Sequence, residues 1–300
     1  MDKVLLTGAS GFLGSIIETS LVQKGMEVLS LNSVGQLLYV NIAEKFSLKP
    51  DLRIDIVVHA AGKAHLVPKT DVEKEAFFKV NFEGTKNLCY ALENLKTLPK
   101  SFIFISTVAV YGIETGVLIS ENHPLNGITP YAKSKILAEN WLKEWAAKHK
   151  IRLSIVRLPL IVGPNPPGNL GAMVRGIKSG RYLSIGKGDA RKSMVWLEDV
   201  AEIIPALSET EGVYNLTDGY HPCFKEIETI ISKKLNKKNP LAISIFSAKL
   251  LGWCGDLLGS SFPLNSDKLH KITSTLTFDD SKAREKLNWS PSSVLDKMQS

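Results

Sequence analysis

Short β-branched runs alternate with amphipathic stretches from Val4 to Gly163, and this alternation constrains the fold more than any single motif does. The runs are VLLTG, EVLSLN (27–32), IDIVVHAAG (54–62), KSFIFIST (100–107) and LSIVRLPLIVG (153–163). Between them the helical candidates include Gly14 to Lys24, Asp71 to Leu95 and Tyr131 to Lys148, the last with apolar or small residues at three-and-four spacing. Parallel strands need crossover connections, usually helices, so the chain reads as α/β, a doubly wound parallel sheet covered on both faces. After Gly163 the pattern loosens into GPNPPGN, a Pro and Gly cluster that marks a long loop, and the later chain is shorter-period and more basic. Residues 1–165, with 190–217 returning to them, are expected to form the sheet domain. Residues 166–189 and 218–300 are expected to form mainly a smaller C-terminal lobe.

The first run leads directly into TGASGFLG. Glycines at 8, 11 and 14 follow a strand and open a helix, so unshielded backbone N–H groups and the positive helix end converge on an anion. A dinucleotide pyrophosphate fits there. The spacing is G-x-x-G-x-x-G, and a glycine trio alone is weak evidence because turns use glycine for positive φ. Its place, with a strand before and a helix after, is what favours the ligand over a plain turn.

Composition narrows the partners. The net charge is +7, but Lys and Arg are spread along the chain without an aromatic-basic interleave, so small anionic ligands are expected and nucleic acid is not. Cys89, Cys223 and Cys254 have neither metal-ligand nor disulfide spacing, which predicts no metal and a reduced, cytoplasmic protein. The start lacks the features of a secretory signal, and no apolar run approaches a membrane span, so no membrane partner is expected. Leu241 to Gly259, LAISIFSAKLLGWCGDLLG, reads as a helix of the C-terminal lobe in preference to a membrane-surface helix.

A second constellation is YAKSK, where Tyr131 and Lys135, four residues apart on a helix, share one face. A phenol titrating near ~10 is a poor base at neutral pH, and a nearby ammonium would lower it. YxxxK is common by accident. Thr107 changes the weight, because it ends an apolar strand at the edge of a parallel sheet, where ligands bind and a hydroxyl can hold a substrate oxygen.

With TGASGFLG, VVHAAG, VNFEGTKNL, FISTVAVYG, YAKSK, RLPLIVGP, KSMVWLEDVAE, VYNLTDG and LTFDDSKAREKLNWSP in this order, the chain resembles the extended short-chain dehydrogenases/reductases of the nucleotide-sugar epimerase/dehydratase family, UDP-glucose 4-epimerase-like, along nearly its whole length. The resemblance implies a Rossmann-type sheet with a substrate-binding lobe and an NAD or NADP cofactor. It also implies a nucleotide-diphosphate sugar as substrate, with a homodimer left open. By the same resemblance Tyr131 is the acid/base, Lys135 bonds the nicotinamide ribose and tunes Tyr131, and Thr107 bonds the reacting sugar oxygen. Gly8, Gly11, Phe12, Leu13 and Gly14 would line the pyrophosphate, and Ala60, Ala61 and Gly62 would run beside the cofactor. Asn169 and Lys192 match positions that hold the nucleotide diphosphate, with Arg191 the alternate if the register slips by one.

Departures from the family pattern are informative. The acid that usually ends the second strand and bonds the ribose is replaced by Asn32 and Ser33, which leaves NAD and NADP nearly balanced, NAD slightly ahead. The adenine-side acid is likewise replaced, by Asn41 beside Ile42, both assigned to the cofactor, and an Asn common in epimerases is Leu160. In 4,6-dehydratases an Asp-Glu pair follows the catalytic Thr; here Val108 and Ala109 stand there, so elimination lacks its acid and base. A C4 epimerase of a UDP-linked hexose is expected. The alternatives are a 4-keto sugar reductase of the quinovosamine type, which GPNPPGNLGAMVRGIKSG and DARKSMVWLEDV resemble, and a non-catalytic NAD(P) sensor.

Overall fold

The computed structural model describes residues 1–31, 40–64, 66–258 and 265–299. The first half contains β1 (Lys3–Thr7), α1 (Gly14–Gln23), β2 (Glu27–Leu31), β3 (Ile56–His59), α2 (Asp71–Phe78), α3 (Gly84–Glu93), β4 (Ser101–Thr107), β5 (Gly116–Ile119) and α4 (Pro130–His149). Then come β6 (Arg152–Leu158), β7 (Leu160–Val162), α5 (Gly168–Lys178), β8 (Leu183–Ile185), β9 (Met194–Trp196), α6 (Leu197–Glu202), α7 (Ile204–Glu209), β10 (Gly212–Asn215), α8 (Phe224–Lys234), β11 (Leu241–Ile243), α9 (Ile245–Leu258), α10 (Ser266–Thr273) and β12 (Leu276–Phe278). Two short helices, α11 (Ser281–Leu287) and α12 (Val294–Gln299), end the described chain.

Six strands form one parallel sheet in the order β10-β6-β4-β3-β1-β2. Because β1 pairs β2 on one side and β3 on the other, the crossovers leave it in opposite directions, and the carboxyl ends of β1 and β3 flank a crevice of the kind that binds ligands. Alternation along each strand feeds two separate cores. Val4, Leu6, Val58, Ile103 and Val156 pack toward Ile17 and Leu21 of α1 and Val200 of α6. Leu5, Val57, Phe102, Phe104 and Ile155 pack toward Leu88 and Leu92 of α3 and Leu142 and Trp145 of α4. A strand buried on both faces must be apolar throughout, which explains the continuous runs.

Two expected elements differ in the structure. Asp71 to Leu95, read as one helix, is divided by a π-helical turn at Lys79–Glu83 that widens the backbone around buried Asn81. LSIVRLPLIVG breaks at Pro159, whose missing N–H cannot continue the ladder, so β6 stays in the main sheet while β7 pairs β9. The catalytic-helix candidate begins where capping chemistry predicts. The Thr129 side chain accepts the Ala132 N–H and Pro130 occupies the first turn, placing Tyr131 at the mouth of the sheet.

Candidate active site

The glycine loop is shaped by contacts that leave no room for side chains. Gly8 has φ +79, and a Cβ there would lie 2.6 Å from the Ala61 nitrogen. At Gly14 a Cβ would lie 2.0 Å from the Gly8 carbonyl oxygen. The Gly11 N–H donates to that oxygen at 2.9 Å, which folds the loop back on itself and starts α1. Leu13 is buried in the core beneath and Phe12 packs partly buried against it. Phe12 leads into Leu13, the N-cap of α1, and Gly14 opens the helix, whose first N–H groups have no carbonyl partners within it. This cradle fits a pyrophosphate.

Across the crevice, Ala60, Ala61 and Gly62 are held by a directed chain of hydrogen bonds. Thr7 Oγ1 accepts the Ala61 N–H at 3.1 Å and lies 2.6 Å from His59 Nδ1; His59 Nε2 lies 2.9 Å from Thr85 Oγ1, which donates to the Asn81 carbonyl at 2.7 Å. Since the Thr85 proton is committed to Asn81, His59 carries its hydrogen on Nε2 and accepts from Thr7 at Nδ1. Full burial, with the Lys135 charge adding to it, pushes this imidazole down to about 3, so it stays neutral. Asn81 in turn accepts the Lys63 N–H at 2.6 Å and donates to the Lys63 carbonyl and to Ser134 Oγ. The π-helical turn therefore ties the Gly62 segment to the helix that carries Tyr131.

Thr107, Tyr131 and Lys135 meet at the carboxyl end of β4. Thr107 Oγ1 accepts the Ala109 N–H at 3.2 Å, leaving its proton to donate toward the Tyr131 oxygen. Burial pushes the Tyr131 phenol above its ordinary value, and the Thr107 bond pulls it back only partly. The expected lowering of Tyr131 by Lys135 is not found: the Lys135 ammonium bonds the Ile105 carbonyl at 2.8 Å and sits 4.4 Å from the Phe104 ring centre. Burial brings Lys135 down to about 8, opposed by the Glu139 charge. Gly62 borders the same ammonium, since a Cβ on it would lie 3.3 Å from Nζ. Its small size keeps that approach open.

Beneath the pair lies a network that the sequence reading did not find. Arg157 donates to Glu139 through Nη2 at 2.7 Å and Nε at 3.2 Å, and Ser106 Oγ donates to the same carboxylate. Arg157 also donates to the Tyr111 hydroxyl at 3.1 Å, which donates to Asn215 Oδ1 at 2.7 Å. The ion pair is buried, so its stability depends on these additional bonds. Glu139 follows Lys135 by four residues on α4, a spacing visible in the sequence; the pairing with Arg157 of β6 is not.

The remaining candidates lie further out. Asn41 is exposed and caps its own turn, accepting the Ala43 N–H at 3.1 Å. Ile42 is buried, and its carbonyl accepts from Asn87 at 3.0 Å. Asn32 lies outside the described residues. Asn169 is exposed on the first turn of α5, and Lys192 is half-buried, its ammonium brought down by burial to about 8 while Glu114 opposes the shift. Arg191 is exposed and donates to the His221 carbonyl at 3.0 Å. Among the described residues no hydrogen bond joins Asn169, Lys192 or Arg191 to Thr107, Tyr131 or Lys135. A cavity of about 510 Å³ between the Pro164–Pro166 loop, α5 and α8 is lined mainly by apolar groups and includes none of that trio.

A parallel sheet with a glycine cradle at the β1/β3 crevice, and a Thr, Tyr and Lys gathered at the adjacent strand end, defines a dinucleotide-dependent α/β enzyme. The chain belongs to the NAD dependent epimerase/dehydratase family, whose model matches residues 4–216. It is 30% identical over 301 residues to the N-acetyl-alpha-D-glucosaminyl-diphospho-ditrans,octacis-undecaprenol 4-epimerase of Escherichia coli O157:H7, covering 94% of this chain and 88% of that one. Identity to the UDP-glucose 4-epimerase of Vibrio cholerae is 28% over 316 residues, 98% of this chain and 92% of that one. The fold is shared with the UDP-glucose 4-epimerase of Thermotoga maritima solved with UDP-glucose, at a TM-score of 0.77, 22% identity, and 99% and 96% coverage of the two chains. Among the described residues no helix is long and apolar enough to cross a membrane.

Proposed function

We propose that this protein is an NAD(P)-dependent C4 epimerase of a diphosphate-linked hexose, with UDP the expected nucleotide. The observation that carries the reading is the convergence of Thr107, Tyr131 and Lys135 on one strand end where Val108 and Ala109 supply neither acid nor base. The groups suffice to move one proton at one carbinol and do not support elimination across the ring. A nicotinamide dinucleotide bound in the crevice supplies the hydride acceptor and donor.

The glycine loop from Gly8 to Gly14 holds the pyrophosphate by backbone amides, and Ala60 to Gly62 line the crevice opposite it. Lys135 reaches the ribose from beside Gly62. Tyr131 holds the proton of the reacting hydroxyl, and Thr107 orients both oxygens. Asn169, from a lobe formed mainly by 166–189 and 218–300, contributes an amide toward the diphosphate, and Lys192, from the 190–217 segment that returns to the 1–165 domain, contributes a cation.

The test begins by denaturing purified protein and identifying the cofactor released. UDP- and dTDP-hexoses are then screened for C4 inversion without added cofactor. A polyprenyl-diphospho-N-acetylglucosamine is included because the Escherichia coli relative is named for such a substrate. Retained NAD with inversion supports the proposal. Consumption of added NAD(P)H by a 4-keto sugar would make it a reductase, and no turnover with any sugar would leave a cofactor-binding sensor.

A further inference from the structure

Helix α9 carries the sequence IFSAKLLGWCGDLL, and its burial is inverted relative to an ordinary surface helix. The face turned toward the protein is the small one: Ala248 is fully buried, Gly252 and Gly255 follow at four and seven residues, and Gly252 lies against the start of α10. Phe246, Leu250 and Trp253, at the same spacing on the other side, are 80%, 57% and 60% exposed. Three large apolar side chains aligned on one helical face are a costly thing to leave in water. The helix therefore keeps an apolar face that its own neighbours do not cover.

Charge indicates what covers the face. From Thr229 to Gly255 there is no Asp or Glu, while Lys233, Lys234, Lys237, Lys238 and Lys249 are all exposed; the next residue of α9, Asp256, is exposed too, and its carboxylate accepts the Ser266 N–H and hydroxyl at the start of α10. A second copy of this chain would have to bring that cationic stretch against its own, whereas an anionic surface complements it. Apolar side chains including Trp, flanked by lysines and too short to span, have the composition of a helix lying in a lipid interface.

We propose that α9 docks this protein on the surface of an anionic phospholipid membrane, with Phe246, Leu250 and Trp253 inserted at the headgroup level and the five lysines held over the lipid phosphates. The proposal rests on α9 and its approach, outside the Thr107, Tyr131 and Lys135 site, and does not depend on which sugar is turned over. It places a membrane partner where composition predicted none.

Co-sedimentation of the full-length protein with vesicles of phosphatidylcholine alone, or with about a third phosphatidylglycerol, tests it. Binding to the anionic vesicles should be at least ~10-fold tighter and should weaken as salt is raised. Replacing the three apolar residues together (Phe246→Ser, Leu250→Ser, Trp253→Ser) should reduce it ~10-fold or more, with circular dichroism and Tm confirming the fold. Lys237→Gln with Lys238→Gln should weaken anionic binding alone, by several-fold, and serves if the triple variant misfolds. Equal binding to both vesicles, no binding, or undiminished binding by the triple variant overturns the proposal. So does a dimer, detected by light scattering, that the same three substitutions dissolve, because the face would then belong to a second copy.

Discussion

Tyr131 is held by two opposing influences, burial raising its phenol and the Thr107 hydroxyl lowering it. Tyr131→Phe keeps the ring against Phe77 and removes only the oxygen, so cofactor affinity should survive while kcat falls ~10²-fold or more; turnover equal to the parent would remove Tyr131 from the chemistry. Lys135 offers a pH test. Its ammonium holds its proton only up to about 8, so the charge-assisted bond it would make to the ribose in the proposed complex is at full strength below that pH and is weakened above it. Affinity for NADH, followed by fluorescence, should therefore fall as pH rises through about 8, and a flat profile would exclude the contact. The same shift is a stability statement. An unfolded lysine stays charged up to about 10.5, so the buried charge opposes folding at neutral pH, and that opposition fades between 8 and 10.5. Lys135→Met should abolish turnover yet leave Tm equal to or above the parent's, the pattern of a group retained for function at a cost in stability.

At the scale of elements, the loop between β1 and α1 separates two uses of glycine. Gly14 is structural, because any side chain meets the Gly8 carbonyl; Gly11 is exposed, and a Cβ there would sit 3.1 Å from the same oxygen, a contact that a few tenths of an ångström would relieve. Gly14→Ala should lower Tm sharply or prevent folding. Gly11→Ala should leave Tm within a few degrees and weaken dinucleotide binding ~10-fold or more, because its methyl occupies the approach of the pyrophosphate. Melting curves with a cofactor titration on each variant distinguish the two roles, and unchanged affinity in Gly11→Ala would remove the pyrophosphate from this loop. The π-helical turn at Lys79–Glu83 is the other decisive element, since it points Asn81 between the Lys63 backbone and Ser134 and so joins two walls of the crevice.

For the whole molecule, the Arg157–Glu139 pair links β6, α4 and, through Tyr111 and Asn215, the edge strand β10. Glu139→Gln leaves a buried guanidinium without its counter-charge and should cost ~3–5 kcal/mol in urea unfolding. Because Glu139 also raises the Lys135 pKa, the midpoint of the pH dependence of NADH affinity should move below about 8 in that variant. A loss of stability under ~1 kcal/mol would mean that the pair is replaceable by neutral hydrogen bonds.

The periodic apolar runs determined the parallel sheet, and the strand, glycine and helix order determined the cradle, because both are local consequences of side-chain size and backbone freedom. The Tyr131 and Lys135 pair was legible for the same reason: four residues on a helix set one face. The polar residues His59, Thr7 and Thr85, inside otherwise buried segments, were readable as anomalies but not as a chain, since their partners come from different elements. What only the tertiary structure decided was where charges and protons go. Lys135 faces the Ile105 carbonyl, Glu139 of α4 finds Arg157 on β6, and α9 turns its small face inward. Each of these is a long-range choice made by burial and packing, and no local spacing encodes it.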